Sequence, residues 1–223
     1  SVKMRSMVPF RKMHLKKKNQ KCGRIFCMYT IVGLGNPGAE YSETRHNVGR
    51  IVLESIIKKQ GLPSPSKSAS YSGLLSEGKL HGESVGILFP TTFMNNSGGP
   101  VAKYVRAQGS LEKCIVVHDE IDLPFGEVRI AYDRGAGGHN GVKSIVDTLG
   151  SNAFIRIRVG IAQKGFFGGI KRPTGDKLSD YVLGKFKSGE VKQLPEISGV
   201  VDEALGLILT KGYLAAMQVV NGK

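Results

Sequence analysis

The hydrophobic positions along this chain recur with two different periods, and the two alternate from one segment to the next. Helical spacing predicts a helix that carries Val48, Val52 and Ile56 and ends at Gly61. Proline is tolerated in a first turn, so Pro100 predicts the start of another helix. Apolar runs, alternation and helical spacing predict the remaining elements: strands at 29–32, 74–80, 84–89, 115–117, 127–132 and 155–161, and helices at 142–149 and 190–220. Strands that alternate with helices indicate an α/β domain.

Two segments between these elements show neither period. Residues 63–72 are rich in Ser and Pro, and residues 163–177 are basic and rich in Gly, so both are predicted to be loops. The strand before the second loop carries Arg156 and Arg158 two positions apart, which places both side chains on one face. Together with Arg129 they are candidates for phosphate contacts, and a solvated strand face is the alternative.

Composition and charge favour a polyanionic partner. The 223 residues suffice for one domain with a real core, 40% of them are hydrophobic, and no apolar run is long enough to cross a bilayer. The formal net charge is +14 and the pI is about 9.8, which favours nucleic acid as a partner over the alternative of a merely soluble basic protein. We expect no association with a membrane.

Part of this charge lies at the amino terminus. Nine of the first 28 residues are Lys or Arg, and the first acidic residue is Glu40. A transit segment, an RNA-attracting arm and a disordered leader all have such a composition. A mitochondrial leader is typically amphipathic and rich in Ser, whereas this segment has few serines and the uninterrupted run Lys16-Lys17-Lys18. We still favour a mitochondrial location, with the cytoplasm as the alternative. We expect residues 1–28 to form a basic leader and residues 29–223 to form the folded domain.

The cysteines indicate a reducing compartment. Cys22, Cys27 and Cys114 form an odd, sparse set, which argues against a disulfide framework. Cys22 and Cys27 have no further Cys or His spaced to complete a zinc site, so we expect no structural metal.

Four groups of short segments set small polar residues among glycines or beside a histidine. They are 33–38 with 44–49, then 93–98, 118–124 and 137–141. Glycine lets the backbone turn tightly and a substrate approach closely, while Asn, His and Asp supply donors, acceptors and one candidate base. Together they predict an active site built mainly from Asn side chains around one histidine.

The first of these segments, GLGNPG at 33–38, also matches the dinucleotide-binding pattern G-x-G-x-x-G after a strand. Pro37 removes a backbone donor where a pyrophosphate requires donors, and it restricts Asn36 to extended geometry. The acidic residue expected about 20 residues later falls at Glu54, inside the predicted helix instead of at a strand end. A dinucleotide site is therefore disfavoured.

His46 is the best candidate for a general base, because an imidazole titrates near neutral pH. Asp119, which follows an apolar strand, is a carboxylate that would orient the ring and stabilise the imidazolium. No Ser or Cys occupies a nucleophile elbow, so attack by activated water is the simpler mechanism. Asn36, Asn95 and Asn140 can donate to a carbonyl or its oxyanion, although Asn beside Gly or Pro is also typical of turns.

A metal-dependent hydrolase is a second interpretation of the same strand end. His118, Asp119, Glu120 and Asp122 are residue types that ligate metals. The helix motif that would complete such a site is missing, so this interpretation is disfavoured.

The motifs GLGNPG, TRHNVG, FMNNSG, HDEIDLP and GGHNG, in this order, resemble those of the bacterial-type peptidyl-tRNA hydrolases. The resemblance extends from about residue 29 to the last predicted helix. It implies one α/β domain with a mixed, twisted sheet flanked by helices. It also implies that a monomer cleaves the ester between a peptide and the 3′ end of tRNA, with no metal, no organic cofactor and no obligatory protein partner.

The resemblance also assigns roles residue by residue. His46 would be the general base for water, Asp119 would keep it in its basic form, and Asn36 would help distinguish an N-acylated substrate from a free aminoacyl ester. Arg158 would belong to a cationic clamp for the 5′ phosphate of the tRNA, with Arg129 as its second candidate. The residues that would line the cleft for the 3′ end and the peptide are Tyr41, Phe93, Met94, Asn95 and Asn140.

Two features depart from the family pattern. The clamp region often has two lysines two positions apart, where this chain has Arg129 and Ala131, so half of the clamp is missing unless Arg134 substitutes for it. The segment after the arginine strand reads Ala162-Gln163-Lys164 and continues into an enlarged loop.

The main rival function is that of an RNA-binding relative that no longer hydrolyses its substrate. Every residue expected for catalysis is retained here, which favours an enzyme.

Overall fold

A computed structural model describes residues 28–164 and 169–222 of the chain. The strands are β1 (Tyr29–Gly33), β2 (Ser66–Ser68), β3 (Gly73–Leu80), β4 (Glu83–Pro90), β5 (Cys114–Pro124), β6 (Val128–Tyr132), β7 (Ile155–Lys164) and β8 (Ile170–Lys171). The helices are α1 (Val48–Lys59), α2 (Gly98–Gln108), α3 (Asn140–Leu149), α4 (Asp176–Leu183), α5 (Ser188–Val191), α6 (Leu194–Lys211) and α7 (Tyr213–Asn221). None of the helices in the described ranges has both the length and the apolar character needed to span a bilayer.

The strands form one mixed sheet in the order β2-β3-β4-β1-β5-β7-β6, and β8 pairs with the end of β7. The four central strands β4, β1, β5 and β7 are parallel, whereas β2, β3 and β6 run antiparallel to their neighbours. The carboxyl ends of parallel strands meet at one edge of a sheet. Asn36 follows β1, Phe93 follows β4 and Asp119 lies within β5, so this topology brings three distant motifs to the same edge.

Apolar side chains cover both faces of the sheet. Ile115 belongs to a cluster with residues of α1 and α6, whereas Val116 belongs to a second cluster with residues of α2 and α3. Successive residues of a strand point to opposite faces, so this alternation within β5 separates the two halves of the core. The predicted α/β fold with helices flanking a mixed sheet is confirmed.

Three sequence predictions have wrong boundaries. Residues 63–72 contain the short strand β2, which pairs with β3. The strand predicted at 115–117 continues to Pro124, because its polar residues still pair with β7 through their backbone. Residues 163–177 contain β8 and the start of α4. In each case, backbone pairing or helical bonding satisfies N–H and C=O groups in a segment whose side chains show no regular period.

The alternative of a solvated strand face does not hold for two of the three arginines. Arg156 and Arg158 are only 2% and 9% exposed. Arg156 donates from its guanidinium to the carbonyl oxygen of Gly135 at 2.7 Å and lies 4.6 Å from the ring centre of Phe154. Burial, followed by the charges of Arg134 and Arg158, lowers the pKa of Arg156 to about 10.

Residues 1–27 lie outside the part of the chain that the structure describes. They hold the predicted leader up to its last residue, together with Cys22 and Cys27. The first strand begins at Tyr29, where the sequence predicts the folded domain to begin. The assignment of the leader stays a prediction.

Candidate active site

A cleft of about 650 Å³ lies at the carboxyl ends of the parallel strands. It is lined by every residue that the sequence predicts for catalysis or for contact with the 3′ end and the peptide: Asn36, Tyr41, His46, Phe93, Met94, Asn95, Asp119 and Asn140. The structure adds a wall that the sequence analysis missed, because Leu178, Val182 and Leu183 of α4 also line the cleft. The helical spacing of these residues is the signal that would have predicted α4.

His46 lies in a short 3-10 turn, Arg45–Asn47, that leads directly into α1. The turn approaches β5 closely because Gly49 has no side chain, and a Cβ there would collide with the carbonyl oxygen of Val117. This approach sets the His46 ring beside Asp119, with 2.9 Å between Nδ1 of His46 and Oδ1 of Asp119. A neutral ring that donates from Nδ1 to the carboxylate keeps a lone pair on Nε2.

The surroundings give the two members of this pair distinct acid–base properties. Burial lowers the pKa of His46, but the charge and the hydrogen bond of Asp119 outweigh it, so the pKa stands above its usual value. Burial raises the pKa of Asp119, but the charge of protonated His46 and the hydrogen bonds from His46 and His139 outweigh it and hold the pKa well below its usual range. Asp119 is therefore a carboxylate at neutral pH that stabilises protonated His46.

His139 is a member of this network that the sequence analysis did not single out. Its Nδ1 accepts from the backbone N–H groups of Gly141 and Val142, at 3.1 and 3.2 Å, and so caps α3. A ring nitrogen that accepts carries no hydrogen, so Nε2 bears it and donates to Oδ1 of Asp119 at 2.8 Å. The sequence does place His139 just before a predicted helix. A side chain at that position can accept hydrogen bonds from the first backbone N–H groups of the helix, which is the signal that would have predicted its capping role.

His118 is the third histidine around this carboxylate, and it has a different role. Its Nδ1 donates to the backbone carbonyl of Asp119 at 2.7 Å, and its ring packs edge-on against His139 with 4.8 Å between centres. Burial lowers the pKa of His118 well below its usual value. His118 is therefore a neutral, buried support for the strand and for the neighbouring ring.

Asn36 presents a defined side of its amide to the cleft. Its Oδ1 accepts from the backbone N–H of Met94 at 2.8 Å, which identifies the oxygen and leaves the NH₂ group as the donor. Asn47 holds the backbone of Asn36 through two bonds, because its Oδ1 accepts from the Asn36 N–H at 2.8 Å and its Nδ2 donates to the Asn36 carbonyl at 2.9 Å. Asn47 is thus a supporting residue that its sequence motif alone did not reveal.

Two aromatic rings line the cleft beside the amides. Tyr41 and Phe93 meet edge-to-face with 6.4 Å between ring centres, and Phe93 is 57% exposed. Asn95 and Asn140 are exposed members of the same lining. Exposed aromatic and amide groups together provide stacking surfaces and neutral hydrogen bonds, which suit a nucleotide base and a peptide backbone.

The two predicted phosphate ligands lie at a different cavity of about 560 Å³, which Arg134 also lines. Arg129 and Arg158 are direct partners in the β6–β7 ladder. Arg158 donates to Glu120 at 2.8 Å, and Arg129 donates to Glu127 at 2.6 Å and to the carbonyl oxygen of Asn221. Ala131 is opposite Arg156 in the same ladder. The structure thus brings the two arginines together and leaves both with carboxylate partners.

The ligand set of the metal interpretation is not brought together. Glu120 pairs with Arg158 and Asp122 pairs with Arg172, while His118 bonds to backbone. Among residues 28–164 and 169–222, the side chains close enough to share an ion are His46, Asp119 and His139, whose candidate ligand atoms lie within 4.8 Å of one another. The expected independence of metal stays a prediction.

Comparison with known proteins identifies the family. A sequence model of the family described as peptidyl-tRNA hydrolase matches residues 30–223. The chain belongs to the peptidyl-tRNA hydrolase family. The peptidyl-tRNA hydrolase of Syntrophotalea carbinolica is 40% identical over 198 residues, which cover 88% of this chain and 98% of the relative. That of Gloeobacter violaceus is 39% identical over 196 residues, which cover 86% and 93%.

Solved structures of peptidyl-tRNA hydrolases have the same fold. A crystal structure of a complex with N-propanol is 32% identical and superposes with a TM-score of 0.78 over 89% of this chain and 97% of that one. The enzyme of Acinetobacter baumannii is 34% identical, with a TM-score of 0.74 and the same coverage. The family and the fold predicted from the motifs are therefore confirmed.

Proposed function

We propose that this chain hydrolyses the ester between a peptide, or an N-blocked aminoacyl group, and the 3′ end of tRNA, and so recycles peptidyl-tRNA released from ribosomes. Membership in the peptidyl-tRNA hydrolase family supports the reaction. The observation that carries the mechanism is the buried His46–Asp119 pair at 2.9 Å in a cleft lined by amide side chains. The cleft holds a base, a carboxylate that orients it and neutral donors for an oxyanion.

The chemistry begins at Nε2 of His46. This nitrogen removes a proton from water while the water oxygen bonds to the ester carbonyl carbon, and the carbonyl oxygen becomes an oxyanion. Asp119 stabilises the imidazolium that forms, and the NH₂ group of Asn36 is placed to donate to the oxyanion or to the carbonyl of an N-acylated substrate. The intermediate then expels the 3′ oxygen of the terminal ribose, which takes the proton back from His46. The products are a free peptide acid and a tRNA with a free 3′ end.

The remaining lining residues account for binding. Tyr41 and Phe93 would stack on the terminal base or pack against the peptide, with Met94 behind them. Asn95 and Asn140 would exchange hydrogen bonds with the peptide backbone, which carries one donor and one acceptor at each residue. The NH₂ group of Asn36 is a donor, so it can bond to the carbonyl oxygen of an N-acylated substrate but not to an ammonium, which carries only donors.

Recognition of the tRNA 5′ phosphate is assigned to Arg129 and Arg158. Their places side by side on β6 and β7 favour a shared anion, because two guanidinium groups offer paired donors to one phosphate. Their carboxylate partners Glu120 and Glu127 would have to give up part of these bonds. The net charge of +14 supports a wider, sequence-independent attraction to the tRNA backbone.

The decisive experiment compares N-acetylated with free aminoacyl-tRNA as substrates of the purified protein. We expect rapid release of the acetylated amino acid and little release of the free one, in the presence or absence of a chelator. Tight binding of tRNA without turnover would instead support the RNA-binding alternative. Loss of turnover in chelator, restored by a divalent metal, would support the metal-dependent alternative through His46, Asp119 and His139.

Location and assembly complete the proposal. A mitochondrial location rests on the basic composition of residues 1–28, and import of the full chain into isolated mitochondria tests it. We also propose that the protein acts as a monomer, which sedimentation of the purified chain would check.

A further inference from the structure

We infer that Arg45 is a positioning residue of this active site, which joins the turn that carries His46 to the end of α4, the helical wall of the cleft. The inference rests on the proposed function, because it concerns the base of that reaction. Arg45 does not line the cleft itself. It acts through its neighbour His46 on one side and through the segment after Leu183 on the other.

The Arg45 guanidinium is a buried hub whose side chain is 5% exposed. One terminal nitrogen pairs with Oε2 of Glu190 at 2.7 Å. The other donates to the carbonyl oxygens of Lys185 and Gly184, at 2.8 and 3.3 Å. The group also lies 4.6 Å from the ring centre of Tyr181, within the range of a cation–π contact.

Tyr181 lies in α4, Gly184 and Lys185 follow it directly, and Glu190 lies in α5, so the contacts form one joint between the turn of Arg45 and the segment 181–190. The backbone strengthens the joint, because the N–H of Arg45 donates to Gly184 at 3.1 Å and the N–H of Phe186 donates to Glu43 at 3.1 Å. Tyr181 additionally donates from its hydroxyl to the carbonyl oxygen of Ile161 at 2.6 Å, which ties α4 to β7.

The joint has two ends that matter for the reaction. At one end, His46 follows Arg45 in the same 3-10 turn, and its ring must stay 2.9 Å from Asp119 to act as an oriented base. At the other end, α4 presents Val182 and Leu183 to the cleft. A side chain that fixes both ends sets the base and the cleft wall in one arrangement, which is how supporting residues preorganise a site.

The chemistry of arginine explains why this position is demanding. A guanidinium is planar and offers a fork of donors, so it can serve a carboxylate and two carbonyls at once while it stacks on a ring. A lysine keeps the charge but is a point donor on a flexible stem and cannot reproduce the fork. Arg45→Lys therefore removes the fork of side-chain bonds from the joint while it retains the buried cation and the backbone bonds.

The test compares Arg45→Lys with Arg50→Lys, a matched control in the next turn. Arg50 pairs with Glu54 at 2.8 Å on the surface of α1 and does not line the cleft. We expect Arg45→Lys to lower kcat about tenfold or more, since misplacing a catalytic group by about 1 Å costs on the order of 100-fold. We also expect KM to rise, because the wall formed by α4 loosens, whereas Arg50→Lys should leave both constants within about twofold.

A merely structural role would lower the melting temperature without changing the titration of the base. The charged or titratable groups that face His46 are Asp119 and His139, and a looser turn weakens the contact with Asp119. Because that contact raises the pKa of His46, the acid limb of the kcat profile should move to lower pH in Arg45→Lys. NMR titration of the His46 ring should show the same direction of change, and this readout does not require turnover.

The outcomes separate the two proposals. If the wild-type protein lacks turnover, the proposed function is refuted. The positioning role of Arg45 is then tested by the NMR titration of His46 alone. If Arg45→Lys keeps wild-type kcat, KM and His46 titration, or only melts earlier, the positioning role is refuted. Should Arg45→Lys fail to fold, Glu190→Gln replaces it, with Glu54→Gln as its control. Glu190→Gln should shift kcat and the acid limb in the same directions by a smaller amount, and an unchanged profile would refute the role.

Discussion

Asp119→Asn is the substitution that examines the proposed mechanism most directly. It removes one charge and keeps the size and shape of a side chain that is only 4% exposed. Oδ1 of Asp119 accepts from both His46 and His139, at 2.9 and 2.8 Å. The Nδ1 of His139 is occupied by two backbone donors of α3, so His139 must continue to donate from Nε2. That donor keeps the oxygen of the new amide pointed into the network.

This geometry sets the magnitude of the effect. A hydrogen bond to a charged acceptor contributes about 1.5–3 kcal/mol, and the Asn oxygen still accepts from His46 without the charge. A neutral hydrogen bond contributes about 0.5–1.5 kcal/mol, so the loss of the charge alone costs about 1–1.5 kcal/mol at the transition state and predicts a fall in kcat of about 5- to 13-fold. A histidine held in the wrong tautomer would cost about 10⁴-fold, so the size of the loss reports whether the amide oxygen stays in place.

The direction of the pH effect is fixed independently. The charge of Asp119 raises the pKa of His46, and the unprotonated ring is the base. Without that charge the ring loses its proton at lower pH, so the acid limb of kcat should move to lower pH. Single-turnover hydrolysis of N-acetylaminoacyl-tRNA across a pH series measures both quantities. Asp147→Asn, in an exposed pair on α3, is the control. An unchanged rate, or an acid limb that stays or moves upward, would refute the pairing.

The remaining predictions concern the base, the turn, the phosphate ligands and the leader. His46→Ala should lower kcat about 10²–10⁴-fold and leave tRNA affinity near wild type, and loss of affinity of the same size would contradict its role as base. Gly49→Ala should destabilise the fold by about 1–3 kcal/mol in denaturant unfolding, because the new Cβ meets the backbone of β5, and unchanged stability would show that the turn can shift. Arg129→Ala and Arg158→Ala should reduce the preference for a substrate with a 5′ phosphate over a dephosphorylated one; equal preference would place the clamp elsewhere. Deletion of residues 1–28 should weaken tRNA binding and flatten its salt dependence with little change in single-turnover cleavage, and an unchanged slope would make the segment a leader only.

The sequence, read with the family resemblance, predicts the fold class and eight of the residues that line the cleft, but neither the α4 wall nor His139. Regular periods in the apolar residues identify strands and helices, and polar motifs beside glycine stand out against them. His46, Asp119 and Asn36 belong to such motifs, and all three lie in one cleft. Family resemblance added their roles, which residue types by themselves left open.

Only the tertiary structure decided which groups support these residues. Arg156 shares a strand face with Arg158 in a pattern typical of solvated positions, yet both are buried, with the backbone of Gly135 and the carboxylate of Glu120 as their partners. His139 and Arg45 look like ordinary members of a glycine loop and a turn, and their importance comes from partners 20 to 145 positions away. The spacing of apolar residues along the sequence shows which side of a helix or strand is apolar, because that side is set by residues only two to four positions apart. The partner of a buried charge depends on which distant segments the sheet order brings together, and one chain carries no local signal of that order.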